Sequence, residues 1–171
     1  MKMYFISGVS GVGKTSSMEI LKRDLPDQYF VKDFDARGVP KGGGRQWRLD
    51  ETKYWILEGK RVAIDGKTLV VCGLANPEEL AVMGETKEID VKIILLDAPG
   101  EVIAQRLNKR NSNTEVKAGL AQAVESVDAF ITGSSDFAPI LRNICIAAKV
   151  PVINTAELTP EEVVAEIKKF L

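Results

Sequence analysis

The 171-residue chain has no histidine, and that absence removes imidazole general bases, Ser-His and Cys-His nucleophile pairs and histidine metal sites together. Acid-base work is left to carboxylates and lysine. Its two cysteines, Cys72 and Cys145, stand far apart and form neither a metal knuckle nor a redox pair, which fits buried thiols in a reducing compartment. A formal net charge of -1 provides no global basic field, so nucleic acid and anionic membrane are poor partners and any polyanion must be gripped locally. No apolar run approaches the length of a membrane span, and the N-terminal one is too short for a leader, so a cytoplasmic location is expected. There is no internal repeat, no low-complexity tract and no linker-like stretch. With 45% hydrophobic residues, one core and one domain over 1–171 are expected.

What is present alternates. β-Branched apolar runs at Met3–Ser7, Tyr29–Phe34, Thr68–Cys72, Val91–Leu96 and Val150–Ile153 suit buried strands. Helical spacing follows each of them. Met18, Leu21 and Leu25 share one face, and Pro26 ends that segment; Trp47, Tyr54, Trp55 and Val62 form a stripe that stops near Gly66. Further helices are expected over Glu101–Arg110, Glu115–Thr132 and Asp136–Ala148, the last preceded by capping serines. Thr159-Pro160-Glu161-Glu162 reads as a capping box with proline at the first helical position. Strands and helices in alternation predict an α/β fold: a parallel sheet with helices on both faces.

Between the first strand and first helix lies Gly8-Val9-Ser10-Gly11-Val12-Gly13-Lys14-Thr15-Ser16, which fits G-x-x-x-x-G-K-[ST] in the context that motif requires. Gly11 and Gly13 let successive N–H groups turn toward a phosphate, and the helix N-terminus adds partial positive charge. Lys14 can reach the outer phosphates and the Thr15 hydroxyl can ligate magnesium. A plain glycine-rich turn would not need Lys14 and Thr15 at these offsets, and a dinucleotide fingerprint has different spacing and no lysine. The segment Gly8 to Ser16, including Ser10, Val12 and Ser16, is therefore read as the cradle for ATP.

At the second strand's end stands Lys32-Asp33-Phe34-Asp35-Ala36-Arg37. Strand alternation puts Asp33 and Asp35 on one face toward the phosphates, one to serve magnesium and the other to accept the proton of an attacking hydroxyl. A pair of solvated acids is the plain alternative.

GVSGVGKTS, DFDARGVP, LLDAPGEVIAQRLNKR and VPVINTAELTPEEVVAEIKKFL together resemble the small P-loop kinases of the nucleoside monophosphate kinase and shikimate or gluconate kinase group, within the P-loop NTPases. The resemblance implies a three-layer fold with a five-stranded parallel sheet in the order 2-3-1-4-5, and an ATP- and magnesium-dependent phosphotransferase acting on a small acceptor. It passes the acceptor-binding or base role to Asp35, with Asp33 and Thr15 at the metal. Arg106 and Arg110, four apart on one helical face at the start of a short lid around 106–116, would clamp the migrating phosphoryl group. Asn154-Thr155 stands where such kinases meet the base.

The group's usual acid after the third strand is missing from Val71-Cys72-Gly73-Leu74. Two acceptor classes stay open: an anionic one, with Arg37, Arg45 and Arg48 around its charge, and a neutral hydroxyl compound that needs mainly Asp35. Trp47 suits either a mobile loop's aromatic or a core residue. Asp97-Ala98-Pro99-Gly100 imitates a GTPase switch, but Asn108-Lys109-Arg110-Asn111 ends in the wrong residue for a guanine signature, and Asp97 is expected to cap the next helix. A polynucleotide-end kinase would want a basic groove that the balanced charge does not offer. A regulatory or assembly protein that binds nucleotide without transferring phosphate is the reading from another class.

Overall fold

The computed structural model describes residues 1–113, 124 and 126–171. Five strands, β1 (Lys2–Ser7), β2 (Tyr29–Asp33), β3 (Thr68–Cys72), β4 (Asp90–Asp97) and β5 (Val152–Asn154), form one sheet in the order β2-β3-β1-β4-β5. Every pairing is parallel, with Phe5 opposite Val71 on one side and Ile93 on the other. The helices are α1 (Lys14–Asp24), α2 (Arg45–Ile64), α3 (Pro77–Val82), α4 (Gly100–Asn111), α5 (Val127–Ala147) and α6 (Pro160–Lys168).

Because the central strands are covered on both faces, they read as continuous apolar runs, and alternation sends their side chains into two cores. Tyr4, Ile6, Val70, Cys72, Ile94 and Leu96 join Met18 and Leu21 of α1 and Val163, Val164 and Ile167 of α6. Met3, Phe5, Leu69, Val71 and Ile93 join Trp55, Ile56 and Val62 of α2. Strands and order agree with the sequence reading, apart from a residue or two at some ends. The α6 capping box is also present: Thr159 accepts from the Glu162 amide while the Glu162 carboxylate accepts from the Thr159 amide.

Three local expectations are corrected. The serines expected to start a helix at Asp136 lie inside α5, where the Ser135 hydroxyl donates to the Ile131 carbonyl four residues back at 3.0 Å. Ser126 is the actual cap, accepting from the Ala129 amide. A serine pair before an acid mimics a cap, but the buried series Ile131, Ala138, Leu141 and Cys145 keeps the helix continuous. Of the expected Glu115–Thr132 helix, 115–123 and 125 lie outside the described residues, as do 114–116 of the expected lid.

Asp97 does not cap α4. Its carboxylate pairs with the Arg142 guanidinium of α5, and the position before α4 is Pro99, with no side-chain cap. Nor is Asp35 on a strand: β2 stops at Asp33, whose carboxylate accepts from the Asp35 amide at 3.0 Å and starts a one-turn 3-10 helix over Phe34–Arg37. Asx chemistry thus overrides strand alternation one residue earlier than the apolar pattern suggests.

Candidate active site

The strands' carboxyl ends open into a cleft of about 1200 Å³ lined along its floor by Gly8 to Met18. The floor is shaped by its neighbours. A Cβ at Gly8 would lie 2.4 Å from the Leu96 carbonyl oxygen and 2.7 Å from Val12 Cγ2, so only glycine lets the loop leave β1 against β4. Gly13 then takes φ +100°, and nothing lies within 4 Å of the Cβ it lacks. It precedes α1 without a side-chain cap, and no acid occupies the first turn, so the helix's initial N–H groups are left for an external acceptor. That donor set fits the phosphate chain of a nucleoside triphosphate.

Lys14 Nζ folds back on the loop and donates to the Val9 carbonyl at 2.7 Å. Burial lowers its pKa to about 8, against the opposing pull of Asp35 and Asp33. Asp35 shifts the other way: loss of water and then the neighbouring Asp33 raise its carboxyl, while Lys14 opposes. Ammonium and carboxylates therefore share one cleft and sense one another. Thr15 and Ser16 are exposed on the first turn of α1. Among the described residues no cluster of three acidic or cysteine side chains forms an all-protein metal cage. Thr15 and Asp33 both line the cleft, and oxygen donors of this kind suit magnesium, which keeps much of its shell as water and phosphate oxygen.

The two α4 arginines separate in role. Arg106 lines the cleft, but its guanidinium donates to the Thr155 hydroxyl at 3.0 Å, the Thr155 carbonyl at 2.6 Å and the Ala156 carbonyl at 3.2 Å. Thr155, 2% exposed, reaches Val12 of the glycine loop through its hydroxyl. Arg106 thus ties the loop after β5 to the phosphate cradle. Arg110 lines the same cleft, and no described residue accepts a hydrogen bond from its side chain. Asn154 points elsewhere, accepting from the Ala156 amide at 3.0 Å, and it is Thr155 rather than Asn154 that lines the cleft. Replacing Arg106 with methionine, which keeps the stem and removes five donors, is expected to raise the KM for nucleotide and cost about 1–3 kcal/mol of stability, read by urea denaturation.

Where α2 borders the cleft, Trp47 is half-buried and meets Phe34 edge-on, with ring centroids 5.9 Å apart. The three arginines are paired. Arg48 donates twice to Glu79, once at 2.7 Å, and Arg45 joins the same carboxylate at 3.1 Å. These bonds, Arg48's first, hold Glu79 below its ordinary pKa. Arg37 lies 3.8 Å over the Tyr54 ring and 3.3 Å from Glu51, whose carboxyl is raised by burial. Of the three, Arg48 lines the cleft.

Sequence reasoning missed Glu79, Leu74, the cleft-lining face of α5 and the tie that runs from Arg106 through Thr155. Glu79 is 31 residues from Arg48, and no local pattern links them. The Thr155 tie likewise spans 143 residues.

No family model and no curated protein matches the chain. Solved structures do. A shikimate kinase from Aquifex aeolicus vf5 is 21% identical, with 99% of this chain and 95% of that one covered at a TM-score of 0.57. A shikimate kinase from Acinetobacter baumannii in complex with shikimate is 14% identical, over 99% and 91%, at 0.63. A gluconokinase from Sinorhizobium meliloti 1021 is 18% identical, over 96% and 88%, at 0.60. The fold is that of these P-loop kinases. No helix among the described residues is long and apolar enough to cross a membrane.

Proposed function

We propose that the protein is a phosphotransferase that moves the terminal phosphoryl group of ATP, with magnesium, to a hydroxyl of a small acceptor. One observation carries this: Lys14, on the phosphate cradle, and Asp35, on the turn after β2, line a single cleft and perturb each other's ionisation. A cradle alone would bind nucleotide; a raised carboxylate beside it gives an incoming hydroxyl somewhere to leave its proton.

In this reading the loop amides from Gly8 to Gly13, with the first turn of α1 through Ser16, hold the phosphates, and Lys14 releases Val9 to reach the outer ones. Thr15 and Asp33 would hold magnesium, which when bound offsets charge on the phosphate oxygens. Asp35 orients the acceptor hydroxyl and takes its proton as that oxygen bonds to the terminal phosphorus and the bond to the ADP oxygen breaks. Arg110 faces the migrating group. Arg106 acts through Thr155, positioning the loop that meets the base beside Asn154. The neighbours named for shikimate and gluconate support small-molecule transfer as the class.

The test is ADP release from magnesium-ATP across nucleosides, nucleotides, sugars, amino-alcohols and aromatic alcohols. Acceptor-stimulated turnover is expected. Saturable ATP binding with turnover that no acceptor stimulates would return the chain to a nucleotide-binding protein without transfer.

A further inference from the structure

We infer that the acceptor is an uncharged alcohol with a ring-sized apolar body, not a carboxylate or a phosphate ester; the inference rests on the kinase reading of the same cleft. Three independent features of the lining lead to it.

The first is that the cations an anionic acceptor would need are committed. Arg48, the one of the three acceptor-side arginines in the cleft wall, has both terminal nitrogens on Glu79, and Glu79 is 9% exposed and shared with Arg45. Arg37 is occupied by Glu51 and the Tyr54 ring. Releasing Arg48 to a ligand would strip a largely buried carboxylate of two of its three hydrogen bonds, and releasing Arg37 would leave buried Glu51 without its ion-pair partner, losses that a surface ion pair would not incur. Among the described cations of the lining, Arg106 is held by Thr155 and Ala156, which leaves Lys14 and Arg110, and the donor's own phosphates claim them.

The second is the face of α5 turned to the cleft. Phe130, Gly133, Ser134 and Phe137, at helical spacing, line it, and that face brings no cation. The third is the rest of the wall. Phe34, Trp47 and Leu74 complete an aromatic and aliphatic surround, while the fixed negative charge of Asp33 and Asp35 stands where a second anion would have to approach. Small residues at 133 and 134 between two phenylalanines leave width for a flat ring. An anion placed there meets like charge and, among the described residues, no cation left unpaired beyond the two at the phosphates; a hydroxyl meets Asp35, and a ring meets rings.

A matched pair isolates the charge: 1-phenyl-1,2-ethanediol and mandelate share a phenyl ring and a benzylic hydroxyl and differ by a carboxylate. A second pair, 1,2-cyclohexanediol and 2-hydroxycyclohexanecarboxylate, repeats the comparison without aromaticity. Calorimetry first establishes binding of a non-hydrolysable ATP analogue with magnesium, and each probe is then titrated into the protein with and without that analogue. ADP release from ATP is measured separately. The diols are expected to bind about tenfold or more tightly than their acids. Glu79→Gln, which frees Arg48, should narrow that preference by strengthening the acids while leaving acceptor-free ATP hydrolysis unchanged.

The inference is overturned if the acids bind as well as or better than the diols, if no diol binds saturably, or if Glu79→Gln leaves the ratio unmoved in a variant that melts like the parent. The kinase reading fails differently. Loss of analogue binding appears in the first arm, and diol preference without ADP release would keep the pocket chemistry and remove the transfer.

Discussion

Asp35→Asn is expected to lower acceptor-dependent ADP release by about 10²- to 10⁴-fold while triphosphate binding is held or improved. Asparagine keeps the shape of the 3-10 turn and can still hydrogen-bond a hydroxyl, but it cannot take its proton. Affinity should not fall, because one negative charge has been removed from beside the phosphates. The pH profile adds a second signature. Asp35 works as a base when ionised, and desolvation with Asp33 beside it raises its pKa, so activity should climb with pH above the ordinary carboxylate range. Asp33→Asn removes one of the two upward influences and should move that acidic limb down, with a separate rise in the magnesium concentration needed for turnover. An unchanged limb in Asp33→Asn would remove Asp35 from the base role.

Lys14→Met is expected to reduce turnover by about 10²-fold or more, the scale of losing one charge-stabilising donor in a preorganised site. The same change should make the ligand-free protein more stable. Burial lowers Lys14 from 10.5 to about 8, so the folded state carries an ammonium that the cleft disfavours. At neutral pH that penalty is on the order of 3 kcal/mol, and methionine removes it. The sign follows from proton counting. Below about 8 the lysine is charged in both states and the penalty is complete; between about 8 and 10.5 the unfolded chain binds more protons, so the parent gains stability as pH rises. The variant's advantage in urea denaturation should therefore be largest at pH 7 and nearly gone by pH 10.5. Calorimetric binding of ATP above pH 8 should show proton uptake in the parent and none in the variant, because the arriving phosphates restore the ammonium.

Both predictions start from features visible in the chain as letters. The cradle was legible because its requirements are local: glycines at fixed offsets, then lysine and threonine, between an apolar run and a helical one. The sheet was legible for a similar reason, since strands covered on both faces lose their polar residues and stand out as blocks. Asp35 lines the cleft of the glycine loop by a route other than the one expected. An aspartate-capped turn brings it there, and alternation along β2 played no part.

What stayed hidden was tertiary pairing. Arg37, Arg45 and Arg48 look like available cations in sequence, and only the fold brings Glu51 and Glu79 to them. Arg106 and Arg110 share a face four residues apart, yet one helical turn separates an arginine satisfied by the Thr155 loop from one with no described partner. Periodicity gives the direction of a side chain, not the identity of what waits there.

Gly73, directly after β3, is bare backbone, and Phe34 packs against it. A Cβ there would sit 2.0 Å from Phe34 Cβ. The two positions are consequently epistatic, and the order of change matters. A protein engineer seeking to install a carboxylate at 73 must first shrink residue 34, accepting a looser ring pocket as the intermediate. The opposite order passes through a chain in which the turn bearing Asp35 has been displaced, so selection for phosphoryl transfer would permit one mutational path and close the other.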